Sequence, residues 1–476
     1  MTADSPEGRA ETIRLLSLTE DTLLEAADDG TLVAVTWWGE YEFPGTPEEV
    51  RASLDRMALG PVTMANLAVA GQDESRVSLR KVLTRLSGSV VHSLALNDGQ
   101  GPLLSAIPVT QNPAFPVGPL PAARRVRLSR FTSLRADGGT LLAESAGARY
   151  KVALSSSPAV VIASSLAAPR TVDELAGTAG VPSAVVADVL SFLVAAGVVL
   201  LARPDGGFAE SGGPDLSVWS PDDLLFHTRS RTWQKGAAPD PDAAREMREP
   251  PVVKQVTAGP TFPLYRPDPA VLAARDPTLT SLLERDHTCP EFSERALPAR
   301  QIGEFLFRAA RVRSVGPAHL PGGPAHEASQ RPYFSVACLY ELEIYVGINR
   351  CDDLTRGIYH YDPLWHTLTL INDDLPVLDG LLDMAMVAAG GHARPSVLLT
   401  MTARMSRIAW VLGGAAYATT LLHVGALQQV FSLAAEAMGL TAHAVPVDAG
   451  DRVDRALKLE WPAEVSVGEC VLNLPG

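Results

Sequence analysis

The sequence predicts an α+β protein in which two small winged-helix-like α+β domains precede one larger α+β domain. Three observations predict it. Short alternating strands flank Asp-Gly turns, "ADDGT" and "RADGGT", early in the chain. Three helical patterns with capping signals follow the second set of strands. From residue 206 onward strand and helix patterns interleave, ending in a long apolar helix.

The bulk composition sets outer limits. A chain of 476 residues allows several domains. With 46% hydrophobic and 20% charged residues it is globular in type. No apolar run approaches the roughly 20 residues of a membrane span. The opening "MTADSPEGRAETIRLL" lacks a basic-then-apolar signal pattern, so a cytoplasmic location is expected. A net charge of −14 argues against a nucleic-acid partner, which needs a basic face. Cys289, Cys338, Cys351 and Cys470 form no C-x-x-C pair, so reduced thiols and no metal site are expected.

Residues 1–117 form the first region. "TLLEAADDGTLVAVTWWGEYEF" reads as a hairpin. "TPEEVRASLDRMA" reads as a helix with Thr46 as N-cap and Glu49 completing a capping box. "SRVSLRKVLTRLSGSVVHSLAL" gives a helix, a Gly stop and a strand, and the Pro-rich "IPVTQNPAFPVGPLP" reads as a linker.

Residues 118–205 form the second. Strands around "DGG" lead to helices over Pro158–Leu166, Val172–Thr178 and Ser183–Ala196. Thr171 with Glu174 caps the second helix, and Ser183 caps the third. "GVVLLARPDGGF" then reads as a wing hairpin. The helix "SAVVADVLSFLVAAG" carries no Arg or Lys, so DNA readout is not expected.

The stretch "GARYKVALSSSPAVVIASSLAAPRTVDELAG" resembles the leader-peptide recognition element of enzymes that modify ribosomally made peptides. The resemblance implies that a precursor-peptide leader adds as an extra strand beside the domain's own hairpin. "LLAES" and "YKVAL" are the candidate strands, and Val185, Val189 and Phe192 the candidate apolar face. The same residues also serve as the core of a small domain.

Residues 206–476 form the third region. "LPARQIGEFLFRAARVRS" is amphipathic, with Ile302, Phe305, Leu306 and Ala309 on one stripe. "YELEIYVGINRC" and "PSVLLTMTARM" read as strands, and "GIYHYDPLWHTLTLI" as a hairpin around Asp-Pro. "ATTLLHVGALQQVFSLAAEAMGL" is a long helix, apolar enough to be buried in a core or at a subunit interface.

"LYELEIYVGINRCDDLTRGIYHYDP" and "AAYATTLLHVGALQQVFSLAAEAMGL", supported by "GEFLFRAARVRS" and "VGECVLN", make residues 220–476 similar to the nitroreductase fold in its SagB-type azoline dehydrogenase branch. That resemblance implies a dimer with FMN at the subunit interface. It implies oxidation of a peptide thiazoline or oxazoline to the azole, with hydride passing to the flavin. A homodimer, a heterodimer with an active paralogue, and a cyclodehydratase complex are the partners it suggests.

Three motifs of that family are altered here. The phosphate-binding arginine cluster corresponds to "LERDHTCPEF", where Arg285 is kept, Thr288 stands for a serine, Asp286 adds a like charge and Pro290 replaces an arginine. Arg229, Ser230 and Arg231 in "HTRSRT" have the right types but lie upstream. The glycine-rich flavin cradle corresponds to "RPYFSVACLYELEIY": Ser335 is kept, Phe334 takes a proline position, and Val336 and Ala337 replace glycines. The Lys-Tyr pair implicated in proton abstraction corresponds to Val411 and Leu412, which accept no proton. Tyr417 and His423 are the nearest titratable groups. Tyr417 matches a family tyrosine and also reads as structural; His423 also reads as a satisfied core histidine. Two readings therefore stand: an FMN-dependent azoline dehydrogenase with a rearranged site, or a catalytically silent homologue that binds a leader or pairs with an active paralogue.

Overall fold

The computed structural model describes residues 12–67, 73–210, 216, 218–230, 249–256, 259–285, 292–319, 325–391, 393–447 and 450–476. The chain divides into two compact units, Met1–Thr228 and Arg229–Gly476.

The first unit is built on one antiparallel sheet. Its strands are β1 (Thr12–Leu18), β5 (Val62–Thr63), β6 (Val90–Leu96), β7 (Pro102–Pro108), β9 (Thr132–Asp137), β10 (Thr140–Ser145) and β11 (Tyr150–Leu154). Their order is β5-β1-β6-β7-β11-β10-β9. A separate three-stranded meander holds β2 (Leu23–Ala26), β3 (Leu32–Thr36) and β4 (Gly39–Phe43). The expected Asp-Asp-Gly turn joins β2 to β3, closed by the Ala27 N–H donating to the Thr31 carbonyl. Strands β8 (Val126–Leu128) and β12 (Val199–Leu201) pair with each other.

Five of the unit's helices bear on the sequence reading: α1 (Glu48–Leu59), α3 (Asp73–Arg85), α4 (Ser157–Ser165), α5 (Val172–Ala179) and α6 (Ser183–Ala196); the short α2 is Met64–Leu67 and the last helix, α7, is Pro221–Ser230. Helix α5 has the capping box expected from Thr171 and Glu174, and ends on Gly180 at φ 67, where a left-handed residue closes the helix. Two other caps differ from expectation. Helix α1 starts after Pro47 without a side-chain cap, and the Thr46 hydroxyl instead donates to the Phe43 carbonyl. Helix α6 starts after Pro182, and the Ser183 hydroxyl donates to Asp173. In both, the proline already sets the entry geometry, which leaves the hydroxyl free for another acceptor.

The sheet bridges the 117/118 division. Strand β7 pairs with β11 over Tyr150↔Pro108 to Leu154↔Leu104. The core does the same: Leu94, Leu104 and Ala106 pack with Val152, Ile162, Val189 and Phe192. The wing also differs from expectation, because β12 pairs with β8 rather than with a strand after the "PDGG" turn. The candidate leader strands "LLAES" and "YKVAL" are β10 and β11, and each already has a partner on both sides. Among the described residues the outer strand at that end is β9.

The second unit has a seven-stranded antiparallel sheet, ordered β13-β18-β17-β16-β19-β21-β20. These are β13 (Thr261–Pro263), β16 (Leu342–Ile348), β17 (Gly357–Asp362), β18 (Thr367–Asn372), β19 (Val397–Arg404), β20 (Thr441–Val445) and β21 (Glu464–Asn473); β14 (Ser314–His319) and β15 (Ala325–Gln330) form a ribbon of their own. The helices are α8 (Pro269–Arg275), α9 (Leu279–Leu283), α10 (Ala299–Ala310), α11 (Leu375–Ala388), α12 (Met405–Leu412), α13 (Ala416–Ala437) and α14 (Gly450–Ala456).

Alternation on β16 sets the layers. Leu342, Ile344, Val346 and Ile348 face the core shared with α10 and α13, where the Phe305 ring lies tilted with its centre 5.2 Å from that of Phe431. Tyr345 faces the other core, against α11 and α14. The expected stripe of Ile302, Phe305, Leu306 and Ala309 is fully buried. Gly303 lets α10 approach the chain at Tyr265, since a Cβ there would sit 2.9 Å from the Tyr265 nitrogen. Met405–Ala437 is long and apolar enough by composition to cross a membrane, contrary to the sequence expectation. In this fold the run is broken at Gly413–Ala415, and Thr420, His423, Leu427 and Phe431 of α13 lie buried in the unit.

Candidate functional site

The family motifs that can be followed converge on the loop Arg331–Glu341, which leads into β16. Ala337, Cys338 and Tyr340 all have left-handed φ values, 52, 55 and 48. Such backbone is natural for glycine and costs other residues about 1 kcal/mol or more each. At Ala337 the loop follows a path that glycine adopts more readily than alanine. Surrounding bonds hold it there. The Ser335 hydroxyl accepts the Tyr340 N–H at 3.0 Å, Tyr340 donates its hydroxyl to the Tyr333 carbonyl at 2.8 Å, and Arg407 Nε donates to the Leu339 carbonyl at 3.0 Å.

His423 closes the arrangement from α13. Its Nε2 accepts the Val336 N–H at 2.8 Å, so that nitrogen carries no proton. The ring proton therefore sits on Nδ1, which donates to the Glu341 carboxylate at 2.8 Å. Both His423 and Glu341 are fully buried. The geometry makes His423 a clamp between α13 and the loop, with neither nitrogen open to a substrate.

Val411 and Leu412, the positions matched to the family's Lys-Tyr pair, lie nearby. Leu339, Ile408, Leu412 and Ala416 form a buried apolar cluster, with Val336, Ala337, Ala409 and Val411 packed against it. Val336 and Ala337 of the loop and Val411 and Leu412 of α12 thus belong to one apolar assembly. Trp410 Nε1 and Thr420 Oγ1, on the helices that bracket it, are buried polar atoms without a hydrogen-bond partner.

The remaining candidates are Tyr417 and the arginine cluster. Tyr417, in the first turn of α13, is 43% exposed. Arg285 donates to the Glu436 carbonyl and carboxylate, at 3.3 and 3.2 Å. Glu436 lies 13 residues beyond His423 on α13, which at 1.5 Å per residue is about 20 Å away. Thr288, Asp286 and Pro290 lie outside the described residues, as does Arg231; Arg229 and Ser230 end α7.

A polar network missed by the motif reading fills the opposite face of the sheet. Glu343 binds Arg404 at 2.8 Å and His360 at 3.0 Å. Burial pushes the Glu343 carboxyl up, but Arg404 and the His360 hydrogen bond outweigh it and hold it at about 2. Lys254 donates to the Tyr345 hydroxyl at 2.7 Å and pairs with Glu464 at 2.5 Å, and Tyr345 donates to Glu464. Burial, then the Glu464 charge, raises the Tyr345 hydroxyl far above its usual range, so it stays protonated. A Lys-Tyr pair therefore exists, but on the face away from His423, with its lysine neutralised by a carboxylate. The signal was in "YELEIYV", where alternation already places Glu343 and Tyr345 together.

FMN needs cations for its phosphate and a backbone that the ring can approach closely. The described residues matched to the family's flavin motifs do not fit it. Arg285 is engaged by Glu436, the Val336 N–H is taken by His423, and Val336, Ala337, Val411 and Leu412 crowd one apolar cluster.

Residues 126–235 match the family profile of the cyanobactin oxidase ThcOx, a stretch well under half of the chain. No curated protein matches the sequence. Solved structures similar to it include a protein of Anabaena variabilis described as a nitroreductase, at 19% identity and TM-score 0.36, covering 51% of this chain and 45% of that one. A second, from Ralstonia eutropha, shows 19% identity and TM-score 0.35, covering 48% of this chain and 98% of that one. A third belongs to the E. coli microcin synthetase McbBCD complex with truncated pro-MccB17 bound, at 17% identity and TM-score 0.34, covering 55% of this chain and 96% of that one. The chain thus spans less than half the length of the Anabaena protein.

Proposed function

We propose that this chain serves the modification of a ribosomally made peptide as a catalytically silent relative of the azoline dehydrogenases, binding a precursor leader or pairing with an active paralogue in the cytoplasm. The observation that carries this reading is the apolar cluster of Leu339, Ile408, Leu412 and Ala416, with Val336, Ala337 and Val411 around it. The family's base and its flavin approach would both lie where these side chains pack. The ThcOx profile match over residues 126–235 supports the peptide-modification context.

An extended leader would add to β9, since β10 and β11 have no open edge. The test is fluorescence polarisation of a labelled synthetic leader with the full chain. Saturable binding is expected; no binding, together with no complex with an intact dehydrogenase of the same pathway, would remove the proposal.

A second reading is FMN-dependent oxidation of a peptide thiazoline or oxazoline, within a homodimer or a cyclodehydratase complex. The left-handed backbone kept at Ala337 and the unpartnered Trp410 Nε1 and Thr420 Oγ1 favour it. Flavin retention by the purified protein would support it.

A further inference from the structure

A cleft of about 320 Å³ in the second unit, beside the start of the Arg331–Glu341 loop, is lined by Arg266, Phe307, Arg311, Arg313, Leu364 and His366 among others. We infer that this cleft is a binding site for a small phosphorylated molecule, with Arg266, Arg311 and Arg313 holding the phosphate. The inference rests on no reading of the candidate site above.

The arginines converge for structural reasons. Arg311 follows the last turn of α10, donates to the Phe307 carbonyl at 2.7 Å and lies 4.1 Å from the centre of the Phe307 ring. The Val312 N–H is tied to the Pro363 carbonyl at 2.8 Å, which brings the β17–β18 turn against the helix end. Arg313 donates to the Arg331 carbonyl at 3.3 Å, and Arg266 donates to the Trp365 carbonyl in that same turn. Each guanidinium has five N–H donors, so one backbone acceptor apiece leaves most of them unused.

Charge is what singles out the cleft. The chain carries 54 acidic against 40 basic residues. On the same helix, Arg308 is held by Asp276 at 2.6 Å and Glu304 at 2.7 Å, and Arg275 also reaches Glu304. Among the described residues, Arg266, Arg311 and Arg313 have no carboxylate within ion-pairing distance. The near acid in sequence, Asp362, accepts the Leu364 and Trp365 N–H groups at 2.9 Å within its own turn. Burial, followed by repulsion from Arg313, pulls the Arg311 guanidinium below its usual value.

His366 adds no charge. Its Nε2 donates to the Tyr265 carbonyl and its Nδ1 accepts from the Tyr361 hydroxyl. Burial is the main cause that lowers its ring to about 4, with Arg266 and Arg311 contributing.

Three unneutralised guanidinium groups call for a ligand with more than one negative charge. Planar, forked donors suit phosphate oxygens better than any other side chain does. Phe307 and Leu364 offer apolar wall for the body that carries the phosphate, and the volume is at the lower end for small-ligand sites.

The experiment is calorimetric titration of the full chain at low ionic strength with inorganic phosphate, pyrophosphate, adenosine monophosphate and adenosine. Single-site binding of at least one phosphate-bearing probe, without binding of adenosine, is expected. Arg313→Glu and Arg266→Gln should each weaken it by about tenfold or more, as charge-assisted contacts are lost. Added salt should weaken it as well. Preference for adenosine monophosphate over the inorganic probes would mark a phosphate ester; preference for the inorganic probes would mark a free phosphate or pyrophosphate. Arg313 is exposed, so its variant tests the site even where Arg266→Gln fails to fold. Absence of binding by every phosphate-bearing probe, or binding that Arg313→Glu leaves unchanged, would overturn the inference.

Discussion

His423 has its Nε2 committed to the Val336 N–H and its Nδ1 proton to the Glu341 carboxylate. Removing it strands a buried carboxylate, so His423→Ala should cost on the order of 3 kcal/mol in chemical denaturation. A wild-type midpoint would mean that the clamp is not formed. Leu412→Ala should cost about 2–3 kcal/mol by leaving a cavity in the apolar cluster. Installing the missing base as Val411→Lys with Leu412→Tyr should lower the melting temperature and yield no azole from a thiazoline peptide, because the new groups enter a packed apolar cluster. Arg285→Ala, which removes a half-exposed arginine from its pair with Glu436, should shift stability by less than about 1 kcal/mol. Glu469 is a different case. Its Oε1 has no hydrogen-bond partner, and burial, then the Asp454 charge, raises the carboxyl from 4.5 to about 7. A raised carboxyl favours the folded state while it is protonated. That stability is fully present below about 4.5 and declines as pH climbs to about 7, by on the order of 2–3 kcal/mol. Urea denaturation across that window should show the slope in the wild type and lose it in Glu469→Gln. At this scale the sequence was legible wherever a residue's role is local. The Thr171–Glu174 box needed only its own helix. The role of His423 was not legible, because Glu341 is 82 residues away and only the fold decides which nitrogen it meets.

Strands and helices were legible from periodicity, and their partners were not. The alternation in "YKVAL" is correct for a strand, yet nothing local says that β7 will lie beside it. The Pro-rich segment after β7 reads as a linker between domains, but the strands on its two sides join one sheet. The consequence can be measured. A fragment of residues 118–205 should be unfolded or aggregated, since it exposes the β11 edge and splits the core that Leu104 shares with Val152. A fragment of residues 1–228 should unfold cooperatively. A well-dispersed amide spectrum from the shorter fragment would contradict the shared-sheet account. Caps show the same division: Thr46 and Ser183 are good capping residues displaced by prolines whose entry geometry suffices.

Across the whole molecule the proposed function separates scaffold from chemistry. The alternating strands, the buried α10 stripe and the long α13 are all present, while the residues matched to the family's flavin and proton motifs are apolar or engaged elsewhere. Visible from the sequence alone was that each motif departs from the family it resembles. Invisible was that Val336, Ala337, Val411 and Leu412 share one apolar cluster. The direct test is the visible absorption spectrum of the purified protein, followed by titration with FMN and gel filtration. A colourless protein that retains no flavin is the expected result. A yellow protein that keeps stoichiometric FMN through the column, with a shifted flavin band, would contradict the account and return the chain to the dehydrogenases.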